Sequence, residues 1–291
     1  MHRLLLHNGE IRGTTEKICT PGQVGLLNGW GVFSTLRVKD GVLFEWDRHF
    51  ARMRKDAELM VIPFPSDAGA MHADLLKLVD ANQAYNATLR VVVVRNKGGM
   101  FESPDQTADY DMIAFTRDLK DWGTGVRLAV TPHARHSAMA FATAKILAWS
   151  MNLTWLERAQ QRGYDEALLL NEQGMVAECT SANIFAVMGD QVWTPPVASG
   201  CLPGITRAVL LEEIRVPGIT IRERDLRIED LANADQVFIT SSTRDLLPVN
   251  AVDEVPMAHR GDARGRLSTA FQQYLNEYVS RARDQVFSRA R

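Results

Sequence analysis

The sequence predicts an α+β fold, with strands and helices mixed but not strictly alternating. Three observations predict it. Asn8-Gly9 and Asp40-Gly41 are tight-turn dipeptides set between apolar runs, the pattern of β-hairpins, because both turn positions tolerate positive φ. Trp46, Phe50, Met53, Ala57 and Met60 recur at helical spacing. Thr88 to Val94, Val126 to Thr131 and Ala182 to Met188 are apolar and β-branched, as strands are.

Taken in order, Leu4 to His7 and Glu10 to Arg12 flank the first turn, and Val32 to Val38 runs to the second, followed by Val42 to Phe44. Asp47 is placed to cap the helix that begins near Trp46. Asp67 to Gln83 reads as a second amphipathic helix, and Thr88 to Val94 and Met112 to Phe115 as buried strands. Arg117 to Gly125 is polar and lacks periodicity. The expected division is therefore a small domain over 1–118, a linker over 119–125 and a larger domain over 126–291. In the larger domain, Leu147 to Arg162 reads as a helix ended by Gly163. Strands follow at Glu166 to Leu170, Met175 to Ala177, Ala182 to Met188 and Gln191 to Trp193. Then come a helix at Ile205 to Ile214, a strand at Gln236 to Thr240 and a last helix at Leu267 to Arg281.

The bulk properties narrow the function classes. The 291 residues are 46% hydrophobic and 23% charged, with a net charge of -2, and no run of one sign offers a basic face for nucleic acid. Leu4-Leu5-Leu6 is too short for a signal peptide, and no apolar stretch would span a bilayer. Cys19, Cys179 and Cys201 are odd in number and lack metal spacing, so a reduced, cytoplasmic setting without a metal is expected.

Chemistry-bearing residues come in an ordered series. Lys145 lies among apolar residues, in Ala144-Lys145-Ile146-Leu147. Gly204-Ile205-Thr206-Arg207 opens a helix, so its amides suit an anion such as phosphate; it also reads as an ordinary cap. Thr240-Ser241-Ser242-Thr243 ends a strand in hydroxyls, a second phosphate contact or a plain turn. Glu178 follows a short strand, where a carboxylate could accept a hydrogen bond from a protonated pyridine nitrogen or simply face solvent. Tyr164 is a candidate phenol donor, or a half-buried core residue.

In this order, residues 26 to 243 resemble the pyridoxal-phosphate enzymes of fold type IV. These class IV aminotransferases include branched-chain and D-amino acid aminotransferases and 4-amino-4-deoxychorismate lyase. Gly29-Trp30-Gly31-Val32-Phe33-Ser34 is similar to the family's Gly-Asp-Gly-Val-Phe-Glu strand, and His49-Phe50-Ala51-Arg52-Met53 to its His-x-x-Arg-Leu helix. The resemblance implies a small α/β domain and a larger domain with a mixed, partly barrel-like sheet. It makes Lys145 the Schiff-base lysine, and gives Tyr164 the cofactor's ring oxygen and Glu178 its pyridine nitrogen. Arg52, Gly204, Ile205, Thr206, Ser241 and Ser242 receive the phosphate. It also implies pyridoxal 5'-phosphate as cofactor, amino acid and 2-oxo acid substrates, and a homodimer.

The substrate side departs from the subgroups. Trp30 replaces the family's aspartate and Ser34 its glutamate. Asn96 to Glu102 lacks the Arg-x-His trap of D-amino acid aminotransferases. Thr88 replaces the tyrosine that precedes the branched-chain enzymes' arginine, here Arg90. Phe33, Arg37, Arg90 and Arg95 are the candidate substrate contacts; each arginine reads equally as a strand-edge salt bridge. The expected activity is amino transfer between an apolar amino acid, branched-chain or other, and a 2-oxo acid, with the lyase that releases pyruvate and 4-aminobenzoate from aminodeoxychorismate as alternative.

Overall fold

Each of two units holds one sheet in the computed structural model, which describes residues 1–289 and side chains as far as residue 284. The first unit comprises Met1–Lys120, Lys145–Trp149 and the described chain from Tyr278; the second comprises Asp121–Ala144 and Ser150–Glu277.

In the first unit, β1 (Leu4–His7), β2 (Glu10–Gly13), β3 (Gly31–Lys39), β4 (Val42–Leu43), β5 (Ala87–Arg95) and β6 (Tyr110–Asp118) form an antiparallel sheet in the order β2-β1-β6-β5-β3-β4. Asn8 and Gly9, at φ 49° and 85°, and Asp40 and Gly41, at 50° and 81°, make the expected tight turns. A five-residue helix, α1 (Val24–Asn28), leads into β3. The longer α2 (Trp46–Leu59) and α3 (Ala68–Ala81) cover one sheet face. Period-2 alternation sorts β3 between faces: Val32, Leu36 and Val38 join Met53, Leu75, Leu78 and Leu89 in the core, whereas Phe33 joins Val92 and Val94 opposite. Burying such a Leu contributes about 1.5–3 kcal/mol.

Two helix starts differ from expectation. Glu45, not Asp47, occupies the α2 cap position, and Asp47 falls in the first turn, where its charge still complements the helix dipole. The helix expected from Leu147 is α4 (Ser150–Gln161), which begins three residues later. Lys145 to Leu147 instead runs along β3: Phe33 N donates to Lys145 O at 3.1 Å and Leu147 N to Gly31 O at 2.7 Å. Ile146 bridges Val32. Edge pairing outcompetes the helical propensity of this short apolar run.

The second unit contains β7 (Val126–Thr131), β8 (Glu166–Leu170), β9 (Val176–Cys179), β10 (Asn183–Met188), β11 (Gln191–Thr194), β12 (Thr220–Glu223), β13 (Gln236–Ser241), β14 (Asp245–Val252) and β15 (Val255–Pro256). Helices α5 (Ile205–Glu212), α6 (Ile228–Asn233) and α7 (Ala263–Arg289) complete the elements. Its mixed sheet runs β12-β11-β10-β13-β14-β7-β8-β9, with β15 on β14. Pairs β11/β12, β14/β7 and β7/β8 are parallel. Five strand spacings separate β9 from β10 along the sheet, about 24 Å if flat. Yet the chain from Cys179 to Asn183 reaches at most about 14 Å. The sheet must therefore curl, as a partly closed barrel does. Glu178 lies within β9 rather than beyond the strand.

Candidate active site

Two aromatic rings flank the Lys145 amine in the first unit. Lys145 Nζ lies 4.5 Å from the Phe33 ring centroid and 4.7 Å from that of Trp149; the two rings meet edge to face at 5.3 Å. On β5, the Arg90 guanidinium lies 3.9 Å over Phe33. Burial lowers its pKa, and among the described residues no carboxylate pairs with it.

Helix α2 supplies the polar groups on the sheet's other face. His49, Arg52 and Asp56 follow at intervals of three and four, so they share a helix face. Ser34 Oγ accepts from Arg52 Nη2 at 2.9 Å and lies 2.7 Å from His49 Nδ1. With the hydroxyl receiving the guanidinium proton, its own proton is assigned toward Nδ1. Burial first, then the charges of Arg52 and Lys145, hold His49 well below the usual histidine range, so it is neutral. Burial lowers Arg52 to about 10, opposed by Asp56, which leaves a cation at neutral pH. Asp56 Oδ2 accepts the Lys145 backbone N–H at 3.0 Å. Burial raises the Asp56 pKa, while that N–H and the charges of Arg52, Lys55 and Lys145 oppose the rise.

Arg95 is engaged differently. Its Nε donates to Lys97 O at 2.7 Å, its Nη1 donates to Val61 O, and its guanidinium stacks 4.2 Å over Trp30. Trp30 in turn donates to Met60 O at 2.9 Å. Arg37 shares the face of β3 that carries Phe33, with its Nε buried.

In the second unit, α5 starts without a side-chain cap after Gly204. A Cβ on Gly204 would lie 2.0 Å from Asn183 Oδ1, so a larger residue would force the Asn183 side chain to shift. Asn183 Nδ2 donates to Leu202 O at 2.8 Å. Thr240 stands directly across from Asn183 on β13, hence on the same sheet face. Its buried Oγ1 has no hydrogen-bond partner among the described residues. An uncapped helix start and an unsatisfied hydroxyl make a donor set that fits a phosphate. Thr206 is buried and Ile205 opens the helix; Ser241 and Ser242 follow Thr240 into the turn. Arg207, by contrast, is committed to Pro195 O at 2.8 Å and to Glu223.

Both carboxylate oxygens of buried Glu178 accept: Oε1 from Arg135 Nη2 at 2.6 Å, Oε2 from the Leu202 N–H at 3.0 Å. A carboxylate offers about four lone-pair sites, leaving room for a further donor such as a pyridinium. Burial, with help from Glu178, pushes the Cys201 thiol up to about 12, so no thiolate competes there. The Tyr164 phenol donates to Glu254 Oε1 at 2.5 Å, a different acceptor from the ring oxygen the resemblance implies. Nearby, Arg244 donates to Glu166 Oε2 at 3.2 Å and to Ser241 Oγ at 3.4 Å, tying the hydroxyl turn to β8. Asp56, Arg135 and Arg244 escaped the sequence reading. The helical phase of His49, Arg52 and Asp56 could have exposed the first; no local pattern marks the others. No metal-binding cluster and no helix long and apolar enough to cross a membrane occurs among the described residues.

A six-stranded antiparallel sheet, a curled mixed sheet and an uncapped helix start match what the resemblance to fold type IV implies. The family model "Amino-transferase class IV" matches residues 31–252. A Methanocaldococcus jannaschii relative, provisionally named a branched-chain-amino-acid aminotransferase, is 31% identical over 79% of this chain and 81% of its own. The Bacillus licheniformis D-alanine aminotransferase is 28% identical over 86% and 88%. The solved Escherichia coli branched-chain amino acid aminotransferase has the same fold, at TM-score 0.86 and 24% identity, covering 94% and 95% of the two chains. The chain belongs to the class IV aminotransferase family and is a pyridoxal-phosphate-dependent aminotransferase.

Proposed function

We propose that this enzyme exchanges an amino group between an apolar, branched-chain-type amino acid and a 2-oxo acid, with Lys145 as the cofactor-bearing lysine. The observation that carries the reading is the pairing of Phe33 and Trp149 against Lys145 Nζ, with Arg90 on the same Phe33 ring. Apolar walls beside one desolvated cation suit a substrate with a carboxylate and a hydrocarbon side chain.

Bound pyridoxal phosphate supplies an electron sink for the substrate carbanion. The chain's own groups do the rest. The Lys145 amine would hold and move the proton at the substrate's reacting carbon. Glu178, fixed by Arg135 and the Leu202 N–H, is suited to accept from a pyridinium nitrogen. Arg52, the Gly204-Ile205-Thr206 helix start, Ser241 and Ser242 would hold the phosphate, which anchors one end while the amine partner changes. Arg90 and Arg37 are the proposed carboxylate contacts. The Methanocaldococcus jannaschii relative carries a branched-chain name, which supports the substrate class. Asn96 to Glu102 lacks the Arg-x-His trap, which favours the branched-chain reading over the D-amino acid one. A homodimer in a reducing, cytosolic setting belongs to the same reading; the three free cysteines are compatible with it.

Purified enzyme supplied with leucine and 2-oxoglutarate should form glutamate, faster than with D-alanine as donor. Pyruvate release from aminodeoxychorismate without amino transfer would replace this reading with the lyase.

A further inference from the structure

We propose that Asp56 is a positioning residue for Lys145: its carboxylate fastens the Lys145 peptide to α2 and so sets that lysine relative to Arg52. The inference rests on Lys145 being the cofactor-bearing lysine.

The Lys145 strip is short and held from two sides. Its carbonyl accepts from Phe33 N at 3.1 Å, and Leu147 N reaches Gly31 O at 2.7 Å. Both are backbone bonds to β3 that no side-chain substitution removes. The Lys145 N–H is different, because its acceptor is the Asp56 side chain, at 3.0 Å. A single substitution at Asp56 releases this anchor.

The location also calls for a reason. Asp56 is 4% exposed and sits between Met53 and Ala57, both fully buried on α2. A carboxylate there is costly to bury unless it is hydrogen-bonded and charge-compensated. The Lys145 N–H and the nearby Arg52, Lys55 and Lys145 charges supply that compensation. Arg52 lies one turn earlier on the same helix face, about 5–6 Å away between Cβ atoms. Helix α2 thus carries both the proposed phosphate arginine and the clamp on the lysine peptide. A displacement of about 1 Å at a reacting group can cost about 100-fold in rate, so such a clamp has functional weight.

The test compares wild type, Asp56→Asn and Asp56→Ala. Two quantities are read: hydrogen exchange at the Lys145 amide in cofactor-free protein, and pyridoxal phosphate affinity by absorbance titration. Asn keeps a side-chain acceptor, and its affinity should stay within about two-fold of wild type. Ala removes the acceptor and should speed Lys145 exchange and weaken affinity, each by about ten-fold, the scale of one charge-assisted hydrogen bond. Should the Ala variant fail to fold, Asp56→Ser, whose hydroxyl is one bond shorter, takes its place with the same expectations. Wild-type exchange and affinity in the truncated variant would overturn the proposal. Equal damage in Asp56→Asn would also overturn it, by assigning the effect to charge. Failure of wild type itself to take up pyridoxal phosphate would instead sink the lysine assignment, while the exchange measurement still reads the clamp.

Discussion

The lysine strip of the first unit and the anion cradle of the second are built by opposite means. Around Lys145 the groups that matter are side chains: two ring faces, the Arg90 guanidinium and the Asp56 carboxylate. Around Gly204 they are mostly backbone: an uncapped helix start, with Thr240 contributing a hydroxyl that has no partner among the described residues. A side-chain site should respond to the chemical identity of each residue. A backbone site should tolerate side-chain changes until one alters the path of the chain.

The largest effect expected from this contrast is at Lys145. Lys145→Ala should lower transamination by about 10²–10⁴-fold, the range of a positioned proton carrier, with little change in thermal stability. Next is the glycine of the cradle. Gly204→Ala should destabilise the protein by about 1–3 kcal/mol in denaturant titration, because the added carbon meets Asn183 Oδ1 at 2.0 Å. A neutral result there would mean that the Asn183 side chain moves aside and that the close approach of Gly204 to it is not required.

Thr240→Val sharpens the comparison through a difference in sign. Its hydroxyl is buried without a partner among the described residues, so a methyl should leave the cofactor-free melting temperature unchanged or raised. Phosphate affinity should nevertheless fall about ten-fold, the scale of a lost hydrogen bond to a charged group. Loss of stability without loss of affinity would make Thr240 a core residue only.

The smallest effect is a pH dependence from His49, whose folded pKa is held well below its ordinary 6.5. Below that pH the unfolded chain binds a proton that the native state refuses. Stability should therefore fall with decreasing pH, by at most about 1.4 kcal/mol per unit, until the folded pKa is reached. Urea titrations between pH 6.5 and 5 should show a shallower slope in His49→Gln than in wild type, the remainder coming from groups such as His72, whose pKa is also lowered by burial.

The same contrast explains what was legible beforehand. The hairpins at Asn8-Gly9 and Asp40-Gly41, and β7 and β8, could be read because local turn chemistry and β-branched runs decide them. Gly204-Ile205-Thr206 was legible because a helix start is written in its own residues. The Lys145 strip was not: Ile146 to Trp149 has helical character, and only pairing to β3 makes it extended. β14 was missed because Pro248 resembles a strand breaker, although it stands opposite Phe238 in the ladder. Asp56 shows in the helical phase of α2, but its partner 89 residues away does not, and Arg135 acts through a partner 43 residues away that no local pattern reveals. Tyr164 followed an attractive Gly-Tyr context, but Glu254 lies 90 residues beyond it.

The central claim is that Lys145 carries the cofactor. Borohydride reduction of the enzyme loaded with pyridoxal phosphate, followed by peptide mapping, tests it most directly. The added mass should fall on the peptide containing Lys145 and vanish in Lys145→Arg. A label on another lysine, or none on wild type, would contradict it.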